Sequence, residues 1–232
     1  MKIAVAAALT FHAFAFAADD GFRFTSGLGI AVPAPRSASR TMARVDALEM
    51  AIVNGQWVAP KAGMAFAGGT WSEVKAGEDG TFSGGQGTPF AGGYVHATFD
   101  APVDAVMMLD AQGHGSVFVN GEPRGGDPYS WGFVQVPVAL HKGSNDFLFS
   151  CGRGSLRARL VAPPAPAATN AGAGDVLAPN LVSGRDTDGP VGVVVVNASG
   201  APLAGARIRV ESDLPAEEAW VELHSMLSLI HI

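Results

Sequence analysis

Ser116-Val117-Phe118-Val119-Asn120-Gly121-Glu122-Pro123-Arg124 is the stretch that decides the fold. An alternating apolar run that meets Asn-Gly reads as a β-hairpin, because a type I′ turn needs positive φ at both central residues. The runs on either side extend the pattern. Upstream, Tyr94-Val95-His96-Ala97-Thr98-Phe99-Asp100 leads to a turn at Pro102, and residues 105–110 lead to a turn at Gln112-Gly113. Downstream, residues 132–140 form a strand whose Pro137 marks an edge or a break. Lys142-Gly143-Ser144-Asn145 is a turn, residues 146–151 the next strand and residues 155–161 the last. Short strands at this spacing predict an all-β sandwich or jelly roll.

Composition agrees with that class. The chain has 232 residues, of which 30 are glycine and 15 proline, so turns are frequent and the length suffices for a substantial core. A net charge of −6 with 16% charged residues argues against nucleic acid as a partner, since a phosphate-binding surface needs basic side chains. The one cysteine, Cys151, permits no internal disulfide and reads as a small buried residue.

The amino terminus has the form of an export signal. Lys2 supplies a positive charge, residues 3–16 are apolar apart from Thr10 and His12, and Ala15-Phe16-Ala17 gives a small-x-small cleavage site. Residues 1–17 are therefore expected to be a signal peptide, with the product periplasmic, on the cell surface or extracellular. The apolar run is too short for a membrane span. Residues 18–40, with Pro33-Ala34-Pro35-Arg36-Ser37-Ala38-Ser39, read as a flexible leader. A short helix follows, since Met42, Val45, Leu48 and Ile52 recur at helical spacing and Gly55 stands where it can end. It is expected to cap one end of the β core, with Met42, Met50 and Met64 as packing residues. Residues 71–76 alternate as a half-buried strand should, and residues 84–93 are a glycine-rich loop. That loop lacks the Gly-Lys-Ser/Thr ending of a phosphate cradle.

Val117-Phe118-Val119-Asn120-Gly121-Glu122-Pro123, followed by Val136-Pro137-Val138-Ala139-Leu140-His141-Lys142-Gly143-Ser144-Asn145-Asp146-Phe147-Leu148, resembles the "V-x-V-N-G … V-P-V-x-L-x-K-G-x-N" pattern of galactose-binding-like jelly rolls. Such domains accompany glycoside hydrolases and other exported enzymes. The wider stretch 51–160 is similar to the amino-terminal region of exported bacterial multidomain α/β-hydrolases of the prolyl-oligopeptidase or esterase type. The resemblance covers about half the chain and implies a galactose-binding-like β-sandwich over residues 41–162, with a serine hydrolase as the parent protein.

Residues 163–179 open with Pro163-Pro164-Ala165-Pro166 and end in Ala/Gly-rich sequence, the composition of a linker. Residues 180–226 begin a second β unit. Gly192-Val193-Val194-Val195-Val196-Asn197-Ala198 is a buried-strand pattern, Ser199-Gly200-Ala201-Pro202-Leu203-Ala204-Gly205 a turn, and residues 206–211 an alternating strand. The "V-V-N-A-S-G-x-P-L" phrase resembles immunoglobulin-like connecting modules. So few strands make an incomplete unit. Leu227-Ser228-Leu229-Ile230-His231-Ile232 has the form of a translated sequencing-adaptor end, so the chain is expected to be a fragment lacking a downstream catalytic domain in cis.

No catalytic group emerges. Gly-x-Ser-x-Gly is absent, His96, His114 and His141 lack metal-ligand spacing, and Asp186-Thr187-Asp188-Gly189 reads as a turn rather than a calcium loop. No metal and no cofactor is expected. The candidate ligand site is the group His114, Asn120, Arg124, Asp127, Tyr129 and Trp131 around the hairpin, where polar groups and aromatic faces could meet a sugar. The competing structural account has Tyr129 and Trp131 packing on the core, Asp127-Pro128 making a turn and Arg124 pairing locally. Three functions follow: a non-catalytic accessory region that positions or stabilises a hydrolase domain, a carbohydrate-binding module, or a cell-surface adhesion or spacer protein.

Overall fold

The computed structural model describes residues 2–6, 21–32, 46–132, 134–169, 176–177, 192–193, 195–199, 201–202, 207–211 and 219–222. Its main body is an antiparallel β-sandwich, as the strand spacing predicts. The sandwich strands are β1 (Phe22–Arg23), β2 (Ser26–Ala31), β3 (Ser72–Lys75), β4 (Phe82–Ser83), β5 (Gly93–Ala101), β6 (Ala105–Gln112), β7 (His114–Val119), β8 (Glu122–Gly125), β9 (Gln135–Leu140), β10 (Gly143–Cys151) and β11 (Ser155–Val161). One sheet runs β8-β7-β10-β5-β2-β3; the other runs β9-β6-β11-β1, with β4 also paired to β11.

The quoted hairpin forms as expected. Asn120 (φ 52°) and Gly121 (φ 85°) join β7 to β8, and Val119 faces Glu122 across the turn. Pro123 and Pro137 both fall on edge strands, where the missing N–H breaks no inner ladder.

Alternate residues of the six-stranded sheet point to two different apolar layers. Val95, Ala97, Phe99, Val117, Val119, Phe147 and Phe149 face the five-stranded sheet and build the main core. Ile30, Tyr94, Phe118 and Leu148 face outward and are buried with Leu48 and Trp71 beneath the segment that carries α1 (Ala47–Val53). A sheet covered on both faces explains why Phe147-Leu148-Phe149 is apolar without alternation.

This covering layer corrects the expected place of the helix. It lies over the outer face of a sheet and not at the end of the core, because its apolar residues Leu48 and Ile52 join the outer layer. Its amino end is set by Asp46, whose carboxylate accepts from the Leu48 and Glu49 N–H groups at 2.8 and 3.2 Å. Asp46 also takes a hydrogen bond from the Tyr94 hydroxyl; burial first, and this carboxylate second, push the Tyr94 pKa above its ordinary value. Met50 (45% exposed) and Met64 (37% exposed) point to solvent, contrary to their expected packing role, and Met42 lies outside the described residues.

Part of the expected leader is structural. β1 and β2 fall within residues 18–40, and β2 pairs with both β5 and β3. Phe22, Phe24, Leu28 and Ile30 supply the apolar alternation, which the Pro33-Ala34-Pro35 stretch just after it obscures in the sequence. Beyond the sandwich, Lys2–Ala6, within the expected signal peptide, pairs with Arg207–Glu211, which also pairs with Ala219–Glu222. Ala167–Thr169, within the expected linker, pairs with Val195–Asn197. The expected calcium-like turn at 186–189 and the tail at 227–232 lie outside the described residues, as does most of the second β unit. Among the described residues no helix is long and apolar enough to cross a membrane.

Candidate functional site

The six candidate residues separate into three structural roles. Asn120 belongs to a clamp. Its Nδ2 donates to Asn145 Oδ1 at 2.9 Å, and its Oδ1 accepts from the Asp146 N–H at 2.9 Å. Asn145, fully buried, donates through Nδ2 to the carbonyls of His141 (2.8 Å) and Gly143 (2.9 Å), while its Oδ1 also accepts from the His141 N–H. The two asparagines of the V-N-G and K-G-S-N phrases thus hold the β7–β8 turn against the start of β10. That spacing encodes a fold constraint.

Arg124 is occupied locally. Its Nη2 donates to Glu122 Oε2 and its Nη1 to the Pro123 carbonyl, both at 2.8 Å. His114 is sealed in the core, at 0% exposure, edge-on to the Phe149 ring at 5.6 Å. Among the described residues neither ring nitrogen has a hydrogen-bond partner. Burial lowers its pKa from 6.5 to about 4, against a smaller opposite pull from the Asp127 carboxylate, so the imidazole is neutral at pH 7.

Asp127, Tyr129 and Trp131 form the remaining group. Asp127, 3% exposed, closes the loop after β8: its Oδ2 accepts from the Gly132 N–H at 2.7 Å. Its carbonyl accepts from the N–H groups of Gly113 (2.8 Å) and Ser130 (3.2 Å). Gly126 sits so close to β7 that a Cβ there would run into the His114 carbonyl. A loop pinned at its base and closed by a buried carboxylate turns its tip outward. Tyr129 is 58% exposed and Trp131 68%, which overturns the expectation that they pack on the core. Their rings stack with centroids 5.6 Å apart and planes 29° apart.

Arg153 completes this surface and was not singled out by the sequence. Its guanidinium carbon lies 4.2 Å from the centroid of the Tyr129 ring, a cation–π contact that contributes about 0.5–1 kcal/mol at an exposed site. It projects from the turn between β10 and β11, where Gly154 (φ 88°) donates its N–H to the Phe90 carbonyl at 2.8 Å. More than twenty positions separate Arg153 from the aromatic pair in sequence. Only the sheet brings them together.

A scan against protein-family models finds no match, and a search of curated proteins finds none. Among solved structures, the chain is similar to an active site mutant of a family two carbohydrate esterase from Clostridium thermocellum, in complex with celluohexase. The identity is 19%, the TM-score 0.17, and the match covers 33% of this chain and 28% of that one. With an overlap that loose, the functional reading rests on the geometry of the site.

Proposed function

We propose that this chain is a carbohydrate-binding, non-catalytic accessory region of an exported hydrolase, and that it meets glycan on the Tyr129–Trp131 surface. The observation that carries the reading is the exposed, prestacked aromatic pair on a loop closed by a buried aspartate. Burying a large apolar side chain stabilises a fold by about 1.5–3 kcal/mol, so leaving two such rings in water forgoes a gain that the core could have taken. Flat exposed rings complement the C–H face of a pyranose, and a rigid loop lowers the ordering cost of binding. The accessory role and export come from the resemblance and the amino-terminal pattern in the sequence.

Binding to a glycan array tests the reading. Trp131→Ala is expected to abolish the signal while the circular-dichroism spectrum and the cooperative melt are kept, because the indole lies outside the buried core. Failure of the wild-type chain to bind any glycan would overturn it. Reading the gene past the codon for residue 232 separates the accessory role from adhesion: a Gly-x-Ser-x-Gly there with later Asp and His supports a hydrolase, whereas further sandwich repeats or an anchor support a spacer.

A further inference from the structure

A second concavity lies away from the aromatic pair. β2 pairs with β5 from Ala31–Gly93 to Leu28–His96, and there the pairing stops. The chain before it crosses to the other sheet, where the Phe24 N–H donates to the Ala158 carbonyl at 3.0 Å and Phe22 pairs with Leu160. The crossing leaves a cleft of about 480 Å³ between residues 22–28, Pro60 and residues 96–98 of β5. Small-molecule sites commonly span about 300–1,000 Å³.

We propose that this cleft is a second binding site, for a single pyranose ring, with His96 held by Asp146 as its hydrogen-bonding anchor. The walls differ in chemistry. Phe22, Leu28 and Pro60 supply apolar surface, and Thr25, Ser26 and Thr98 supply hydroxyls. The Phe22 ring is fixed edge-on to Phe24 at 5.1 Å and tilted against Phe99 at 4.7 Å. Among the described residues Arg23 is the one permanently charged side chain on the wall and no carboxylate lines it, so a neutral, hydroxyl-rich ligand meets no repulsion. A ring with one C–H face and hydroxyls around its rim matches this division.

The anchor is preorganised. His96 is 5% exposed, and its Nε2 lies 2.9 Å from Asp146 Oδ1. A carboxylate only accepts, so Nε2 donates in this bond, and Nδ1 is the ring nitrogen left to meet a ligand hydroxyl. Asp146 is itself held, since its N–H donates to Asn120 Oδ1 and its carbonyl accepts the Asn120 N–H, both at 2.9 Å. The Asn-Gly turn thereby orients a side chain at the cleft on the neighbouring strand.

Trp57 reports on the site, because its ring lies 6.0 Å from that of His96. Tryptophan emission is followed in the Trp131→Ala chain, which removes the first surface and its signal, during titration with the methyl glycosides of glucose, galactose, mannose and N-acetylglucosamine and with cellobiose. A saturable change with a methyl glycoside identifies a free ring, and a change with cellobiose alone identifies the terminal ring of a chain. Thr98→Phe, which fills the cleft from an exposed strand position, is expected to weaken that affinity by about tenfold or more with an unchanged melt. Ser26→Leu fills it from the opposite wall if the first variant fails to fold. No saturable change with any of the five sugars, or a change that both filled variants preserve, overturns the site. Loss of glycan binding at Tyr129–Trp131 would leave this result standing.

Discussion

Replacing His114 with leucine should make the protein more resistant to acid. The imidazole is fully buried, its two nitrogens have no hydrogen-bond partner among the described residues, and burial lowers its pKa from 6.5 to about 4. Below about pH 6.5 the unfolded chain takes up a proton at this side chain and the folded chain does not, so stability falls as pH falls. The loss is complete below the folded value. At about 1.36 kcal/mol per pH unit, the interval from 6.5 to about 4 corresponds to about 3 kcal/mol, a large share of a typical folding free energy. His114→Leu removes this dependence and also two unpaired polar atoms, so the variant should be at least as stable as the parent at neutral pH. Urea unfolding followed by circular dichroism, at steps from about pH 7.5 to about pH 4, measures both effects. The two proteins differ only at this side chain, so the difference between the curves reports His114 and its interaction with Asp127. Parallel curves would refute the reasoning, as would a variant destabilised at neutral pH without any gain in acid.

Asn145→Ala should cost about 2–4 kcal/mol in urea unfolding, because it removes at once the hydrogen bonds of a fully buried amide to the His141 and Gly143 carbonyls, the His141 N–H and the Asn120 side chain. Gly121→Ala should cost about 1–2 kcal/mol from its positive φ alone, since open space surrounds the added methyl group; no change in melting would refute the turn assignment. Burial pushes the Cys151 thiol up to about 12, so iodoacetamide should leave the native protein unlabelled and label it fully in urea. Rapid labelling of the native chain at neutral pH would contradict its place in the core.

The readable parts of the sequence were those where one residue type answers one backbone demand. Asn120-Gly121 named its turn, Pro137 its edge, and the Leu48, Ile52 and Gly55 spacing its helix. Two failures share a cause. The structural account that competed with the ligand site packs Tyr129 and Trp131 on the core because large aromatic side chains are usually buried, but the Asp127 carboxylate closing on the Gly132 N–H turns them outward. Phe22 to Ile30 alternate as strands do, yet the proline- and serine-rich run beyond them has the composition of a leader. In both cases a local average outweighed a specific contact that spans several residues. Arg153 and the His96–Asp146 pair carry no local signal, because strand pairing alone brings their partners close.

The clamp at the hairpin also connects the proposed ligand surfaces to the fold in unequal ways. Asn120 reaches Asp146 through one backbone hydrogen bond and one from the Asp146 N–H to its own side-chain Oδ1, and Asp146 holds His96, so the cleft depends on the turn through three directly bonded residues. The aromatic loop begins after β8 and is pinned instead by Asp127 to Gly113 and Gly132, on the β6–β7 side. Damage to the clamp should therefore disorder the anchor of the cleft before it moves Tyr129 or Trp131. The V-N-G and K-G-S-N phrases mark the scaffold. Asn120, a ligand candidate by its place beside the aromatic residues, has both polar atoms of its side-chain amide engaged in that scaffold.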